Sequence, residues 1–143
     1  MIREVKASDY PAIAKVMMRA FANPPWNEDW DYSRAYQRIE QLDDGKYTRC
    51  YVYEENEKII GVLCGKLITY VNNLELMIED CYIDPDYQRL GIGGKLMQGV
   101  VDRLKEVDAF TLLTGQGFYS VDFYLKNGFK IDNNLVLMRK ELK

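Results

Sequence analysis

Hydrophobic positions change their spacing twice along the chain, from helical to alternating and back. Ile2 to Lys6 reads as a short strand. Ser8 or Asp9 then caps a helix, with Pro11 tolerated in the first turn and Ile13, Val16, Met17, Ala20 and Phe21 on one face. Asn23-Pro24-Pro25 stops that helix, and a second short one runs from Ser33 to Leu42, closed by Asp43-Asp44-Gly45. From Arg49 the pattern alternates. Arg49 to Glu54, Lys58 to Val71 and Leu74 to Ile83 read as three strands joined by turns at Glu55-Asn56-Glu57 and Asn72-Asn73, an antiparallel meander.

Helical spacing returns after Asp84-Pro85-Asp86. Gly91 to Val107 is the longest amphipathic helix, with Ile92, Leu96, Val100 and Leu104 on one stripe. Ala109 to Thr114 follows as a buried strand and Phe118 to Lys126 as a short helix. Phe129 to Lys140 is a last strand or hairpin, broken at Asn133-Asn134. Antiparallel pairing first and crossover connections later predict an α/β fold, a mixed, mostly antiparallel sheet with helices packed on it. No repeat, linker or low-complexity tract divides residues 1–143, so one domain is expected, and 143 residues bury about two-thirds of the unfolded surface.

Composition narrows the chemistry more than the fold. The chain has no histidine, which removes Ser-His-Asp and Cys-His pairs, imidazole bases and His-ligated metals together. Any catalysis falls to carboxylates, tyrosines, backbone amides or a cofactor. Net charge is −3, which argues against nucleic acid as a partner while leaving room for a local basic patch. No stretch is apolar enough to span a membrane, and no N-terminal signal pattern is read. Cys50, Cys64 and Cys81 are odd in number without CxxC spacing, so reduced thiols and a cytoplasmic location are expected. Neither they nor the carboxylates show metal-ligand spacing.

The strongest local signal is Tyr87-Gln88-Arg89-Leu90-Gly91-Ile92-Gly93-Gly94-Lys95. Its glycines lie where a strand runs into the longest helix, so free N–H groups and the positive end of the helix dipole converge there, as a pyrophosphate site requires. The same glycines also suit a tight packing turn. A Walker A loop is excluded because Leu96 follows Lys95 and Arg89 holds the first glycine position; a GxGxxG fingerprint fails because Leu96 stands at its third glycine.

Gln88-x-x-Gly91-x-Gly93, after Tyr82-Ile83-Asp84-Pro85, resembles the acetyl-CoA signature of the GCN5-related N-acetyltransferase (GNAT) superfamily. Phe123-Tyr124-Leu125-Lys126-Asn127-Gly128-Phe129 is similar to that superfamily's second motif, and the order of elements agrees along essentially the whole chain. The resemblance implies the single-domain GNAT fold and an acetyl-CoA-dependent acyltransferase that moves acetyl directly to a primary amine. It places the pyrophosphate on the backbone amides of Gln88, Arg89, Leu90, Gly91, Ile92, Gly93, Gly94 and Lys95. An oxyanion donor falls on the backbone near Tyr82 or Ile83, where the family strand carries a bulge. Tyr124 matches the tyrosine beside the thioester sulfur, with Tyr119 as the weaker competitor.

For the base, Glu79 and Asp80 precede Cys81, and strict alternation lets only one of them face the amine. Glu79 is preferred, acting through water as in some polyamine and aminoglycoside branches; an ion pair with a neighbouring cation, or loss of the proton to solvent, stays open. Cys81 is read as packing in its apolar strand rather than as a nucleophile. The family's pantetheine-contacting asparagine is replaced by Gly117, which leaves Gln116 or a backbone amide for that contact.

Both tryptophans fall in Trp26-Asn27-Glu28-Asp29-Trp30-Asp31-Tyr32, among three carboxylates and no basic residue. In the family this segment helps build the acceptor site. Trp26, Glu28, Trp30 and Asp31 therefore form a candidate wall for a small cationic amine, by charge and cation–π contact. The same residues also read as a loop with packed tryptophans and solvated acids. A peptide or protein amine, a non-catalytic acyl-CoA-binding module and a ligand-free interaction domain are the competing functions. The resemblance also allows a homodimer.

Overall fold

The computed structural model describes residues 1–143, arranged as two compact units, Met1–Leu113 and Thr114–Lys143. The first contains β1 (Ile2–Glu4), a 3-10 turn at Ala7–Asp9, α1 (Tyr10–Phe21), α2 (Tyr32–Leu42), β2 (Thr48–Glu55), β3 (Lys58–Thr69), β4 (Leu74–Ile83), a second 3-10 turn at Pro85–Tyr87, α3 (Ile92–Arg103) and β5 (Ala109–Leu112). The strands lie in the order β1-β2-β3-β4-β5, antiparallel except for the β4–β5 pair. The expected α/β fold with a mixed, mostly antiparallel sheet is therefore present. No helix is long and apolar enough to cross a membrane.

The meander forms because its turns accept the backbone that a hairpin demands. Asn56 and Glu57 both take positive φ, 50° and 64°, which matches the twist of the strands they join. One sheet face carries Cys50, Val52, Val62, Cys64 and Tyr82 against Ile13, Ala14, Val16, Met17 and Ala20 of α1 and Ala35 and Ile39 of α2. α3 turns its buried stripe of Ile92, Leu96, Met97 and Val100 towards the sheet, packing on β2, β3 and β4. Leu104 is buried as expected, but it sits just beyond the helix, with φ −111° and ψ 62°, so α3 ends at Arg103 rather than Val107.

Two register shifts interrupt the sheet. Tyr53 pairs with Gly61 while Glu54 pairs with Ile59, so Ile60 is an extra residue in β3. Cys64 pairs with Asp80 while Gly65 pairs with Ile78, so Glu79 is an extra residue in β4.

The second unit contains α4 (Tyr119–Lys126). The strand or hairpin expected over Phe129 to Lys140 is absent: residues 129–143 carry no helix or strand. Asn134 N–H instead donates to the Asp132 carboxylate in a local turn at 2.9 Å, and Leu135, Val136, Leu137 and Met138 are exposed. An apolar run becomes a strand only where a second strand takes up its backbone, and this run has none.

Asp9 stands at the N-cap of α1, yet its side chain makes no cap bond. It accepts from Lys6 N–H at 2.8 Å and from both terminal nitrogens of Arg3 at 2.8 and 2.9 Å. Arg3 also reaches Glu54 through Nε at 3.0 Å, so one guanidinium ties β1, the start of α1 and the end of β2. Its hydrogen bonds hold the Asp9 carboxyl below the ordinary aspartate range. A lowered native value means stability that is complete above the unfolded pKa and lost as pH falls through the native one. Asp9→Asn is expected to lower stability by about 1–2 kcal/mol at pH 7. Urea unfolding should show that gap constant from pH 5 to 8 and shrinking below about pH 4; a gap that stays constant at low pH would contradict this assignment.

Candidate active site

The chain leaving β4 is held by a buried carboxylate. Asp84 is 2% exposed, and its N–H donates to the carbonyl of the extra residue Ile60 at 2.7 Å. Its Oδ1 accepts from Asp86 N–H at 2.9 Å and from Arg19 of α1 at 3.0 Å. Arg19 reaches Asp86 as well, at 2.9 Å, and Tyr87 N–H closes the turn on the Asp84 carbonyl at 2.8 Å. Gln88 then folds its side chain back, donating to the Ile83 carbonyl at 3.0 Å.

From this anchored turn, Gln88, Arg89, Leu90 and Gly91 run exposed into α3. Arg89 has φ 64° and Gly91, the N-cap, has φ 80° with no atom near the place a Cβ would occupy. No side chain caps the helix, and its first turn holds no acid. The N–H groups of Ile92, Gly93 and Gly94 lie within the first turn, beyond the reach of any intrahelical carbonyl, and Lys95 stands exposed beside them. An open helix start with a glycine cap and a nearby cation fits a phosphate or pyrophosphate. Among the remaining residues expected here, Tyr82 is buried, edge-on to Phe21 at 5.4 Å, and Ile83 is half-buried. The bulge expected near these two residues lies earlier, at Glu79.

That bulge corrects the expectation that Glu79 and Asp80 face opposite sides by simple alternation. Asp80 pairs with Cys64, on the face covered by α1 and α2, whereas Ile78 pairs with Gly65 on the other face. Two residue steps therefore produce a single change of face. Asp80 is buried, and Arg38 of α2 grips it by two bonds, Nε to Oδ2 and Nη2 to Oδ1, both 2.8 Å. Burial pushes the Asp80 carboxyl up and the guanidinium pulls it back. Asp80 in turn holds Arg38 more firmly protonated, with a smaller contribution from the charge of Glu79. Glu79 itself is exposed.

Arg38 also lies over the Trp30 ring, its guanidinium carbon 6.0 Å from the centroid. Trp30 Nε1–H donates to Glu28 at 2.9 Å. Asp31 caps α2 by accepting from Arg34 N–H at 2.8 Å. Glu28, Asp29, Trp30, Asp31 and Arg34 line an open depression of about 370 Å³. Trp26 packs edge-on to Phe21 at 5.3 Å. The stretch without basic residues thus acquires two arginines from α2. Arg38 was not singled out from the sequence; its only local signal is a charge one residue from the buried Ile39, and its partner lies 42 residues away.

Tyr124 belongs to the second unit. It is half-buried on α4 between Phe123 and Phe129, ring centroids at 5.1 and 5.4 Å, and its carbonyl accepts the N–H of Phe129 at 3.0 Å. Gly128 and Gly117 take φ of 92° and 79°, and Tyr119 is exposed. Of the three thiols, Cys50 and Cys64 are buried and Cys81 is half-buried.

A comparison with curated protein sequences finds no match. Among solved structures, a transcriptional regulator from Bacillus halodurans C-125 superposes with a TM-score of 0.79 at 20% identity, covering 98% of this chain and 99% of its own. The aminoglycoside 6'-N-acetyltransferase AAC(6')-IG from Acinetobacter haemolyticus gives 0.75 at 16% identity, covering 100% and 99%. The aminoglycoside acetyltransferase meta-AAC0020, from an uncultured soil metagenomic sample and in complex with sisomicin, gives 0.76 at 18%, covering 100% and 96%. These likenesses establish a shared fold. The sequence profile described as the Acetyltransferase (GNAT) family matches residues 12–129, and the chain belongs to that family of acetyltransferases.

Proposed function

We propose that this protein is an N-acetyltransferase that moves an acetyl group from acetyl-CoA to a primary amine of a small cationic molecule, by direct transfer. The observation that carries the reading is the open start of α3, presented by a turn that Asp84 and Arg19 hold rigid. Acetyl-CoA supplies the activated thioester. Of the amides expected from Gln88 to Lys95, Lys95 N–H is taken by the Gly91 carbonyl at 3.1 Å and Gln88 N–H turns to Pro85. Those of Arg89, Leu90, Gly91, Ile92, Gly93 and Gly94 therefore bind its pyrophosphate, with the Arg89 and Lys95 side chains adding positive charge. A backbone N–H near Tyr82 or Ile83 donates to the acetyl oxygen as negative charge gathers there.

Glu79, exposed and on the strand that leads into this site, accepts the proton of the incoming ammonium through water. Tyr124 returns a proton to the leaving thiolate, a transfer suited to a phenol with a reference pKa near 10 against roughly 8.5 for a thiol. Trp26, Glu28, Trp30 and Asp31 attract and align the cationic acceptor. Two of the fold relatives are named for aminoglycosides, which favours a small amine over a peptide.

Acetyl-CoA at 100 times its dissociation constant adds about 2.7 kcal/mol, enough to raise the unfolding midpoint by several degrees, and ATP should do little. No rise at millimolar CoA would overturn the cofactor assignment. Tyr124→Phe should cut kcat by about 100-fold or more while leaving that thermal shift intact; unchanged turnover would remove Tyr124 from the chemistry. Glu28→Gln together with Asp31→Asn, which keeps a capping residue on α2, should raise KM for polycationic amines. An unchanged KM would show that the loop does not recognise the acceptor.

A further inference from the structure

Three features adjoin in β4: a bulge at the exposed Glu79, a buried carboxylate at Asp80, and an arginine that bonds Asp80 and lies over Trp30. An arginine held side-on by a carboxylate has a fixed plane, because the two parallel bonds set its orientation as well as its position. The guanidinium over Trp30 is therefore a rigid platform. The ring is held a second time at its edge, where the indole N–H meets Glu28.

We infer that Arg38 is a positioning residue of the acceptor site: by clamping Asp80 and the Trp30 ring together, it commits Asp80 to structure and leaves Glu79 as the carboxylate of that pair open to an incoming ammonium. Arg38 covers one face of Trp30 with positive charge, so an acceptor cation is directed away from that face and towards Glu28 at the ring edge. The clamp also explains the adjacent pair of acids in β4. Asp80 is needed to orient Arg38, and Glu79 is displaced to the surface by the extra residue in the strand. This inference rests on the proposed acetyl transfer and assigns different duties to the two carboxylates within it.

Removing Arg38 alone leaves a buried carboxylate without its partner and risks unfolding, so the informative variant removes both members as Arg38→Met/Asp80→Asn. Steady-state kinetics on that variant should show KM for the amine raised 10-fold or more, kcat within a few-fold of the parent, and KM for acetyl-CoA unchanged. Asp80→Asn alone should keep kcat within a few-fold, whereas Glu79→Gln should lose about 100-fold or more in kcat/KM. In a Trp26→Phe background, Trp30 emission should shift when the pair is removed, a readout that needs no turnover. Asp80→Asn losing as much as Glu79→Gln, an unchanged amine KM in the double variant, or an unmoved Trp30 emission would each overturn the inference. A parent protein that acetylates no amine while Trp30 still responds overturns the proposed function and leaves the clamp in place.

Discussion

Asp84 governs the geometry where the sheet gives way to α3. It sits where the sheet stops and α3 begins, almost without solvent contact, and three separate elements bind it: the Ile60 carbonyl of β3, the N–H of Asp86 in the following turn, and Arg19 of α1. A buried carboxylate is tolerated only when its charge and lone pairs are taken up, and here the groups that satisfy it also fix the path of the chain. The extra residue at Ile60 turns a carbonyl towards Asp84, so the irregularity in β3 is part of the anchor. Downstream of it, positive φ at Arg89 and Gly91 sets the direction in which α3 starts and leaves its first amides uncapped.

A second constraint acts within β4. An uninterrupted strand would carry Ile78 and Asp80 on the same face and Glu79 on the other. The extra residue lets Ile78 serve the α3 side and Asp80 the α2 side. Asp80 becomes affordable as a buried group because Arg38 meets it with two charge-assisted bonds. The arginine in turn joins the tryptophan loop to the sheet, so that loop and the turn into α3 share β4 as their common support.

Much of this was legible in the sequence where a period repeats. The stripe Ile92, Leu96, Val100, Leu104 and Ile13, Val16, Met17 and Ala20 of α1 are buried as their spacing predicts, with Phe21 half-buried at the helix end, and β4 spans Leu74–Ile83 as expected. The glycine-rich turn was legible because glycine, a helix start and missing caps are all local properties. The bulges were not, since a register shift is a relation between two strands and leaves no mark on either alone. Arg38 was missed for the same reason: its meaning comes from Asp80, far along the chain. The apolar run after Phe129 shows the converse, a local pattern of strand character that forms no strand without a partner for its backbone.

Acetyl transfer as proposed requires the amides at the start of α3 to hold the cofactor. A ¹H–¹⁵N correlation spectrum titrated with CoA tests it directly, because each amide reports its own environment. The largest shifts should cluster from Gln88 to Lys95, with Ile92, Gly93 and Gly94 moving downfield as their N–H groups acquire phosphate acceptors. Saturating CoA that leaves these amides in place, or moves a different set, would contradict it.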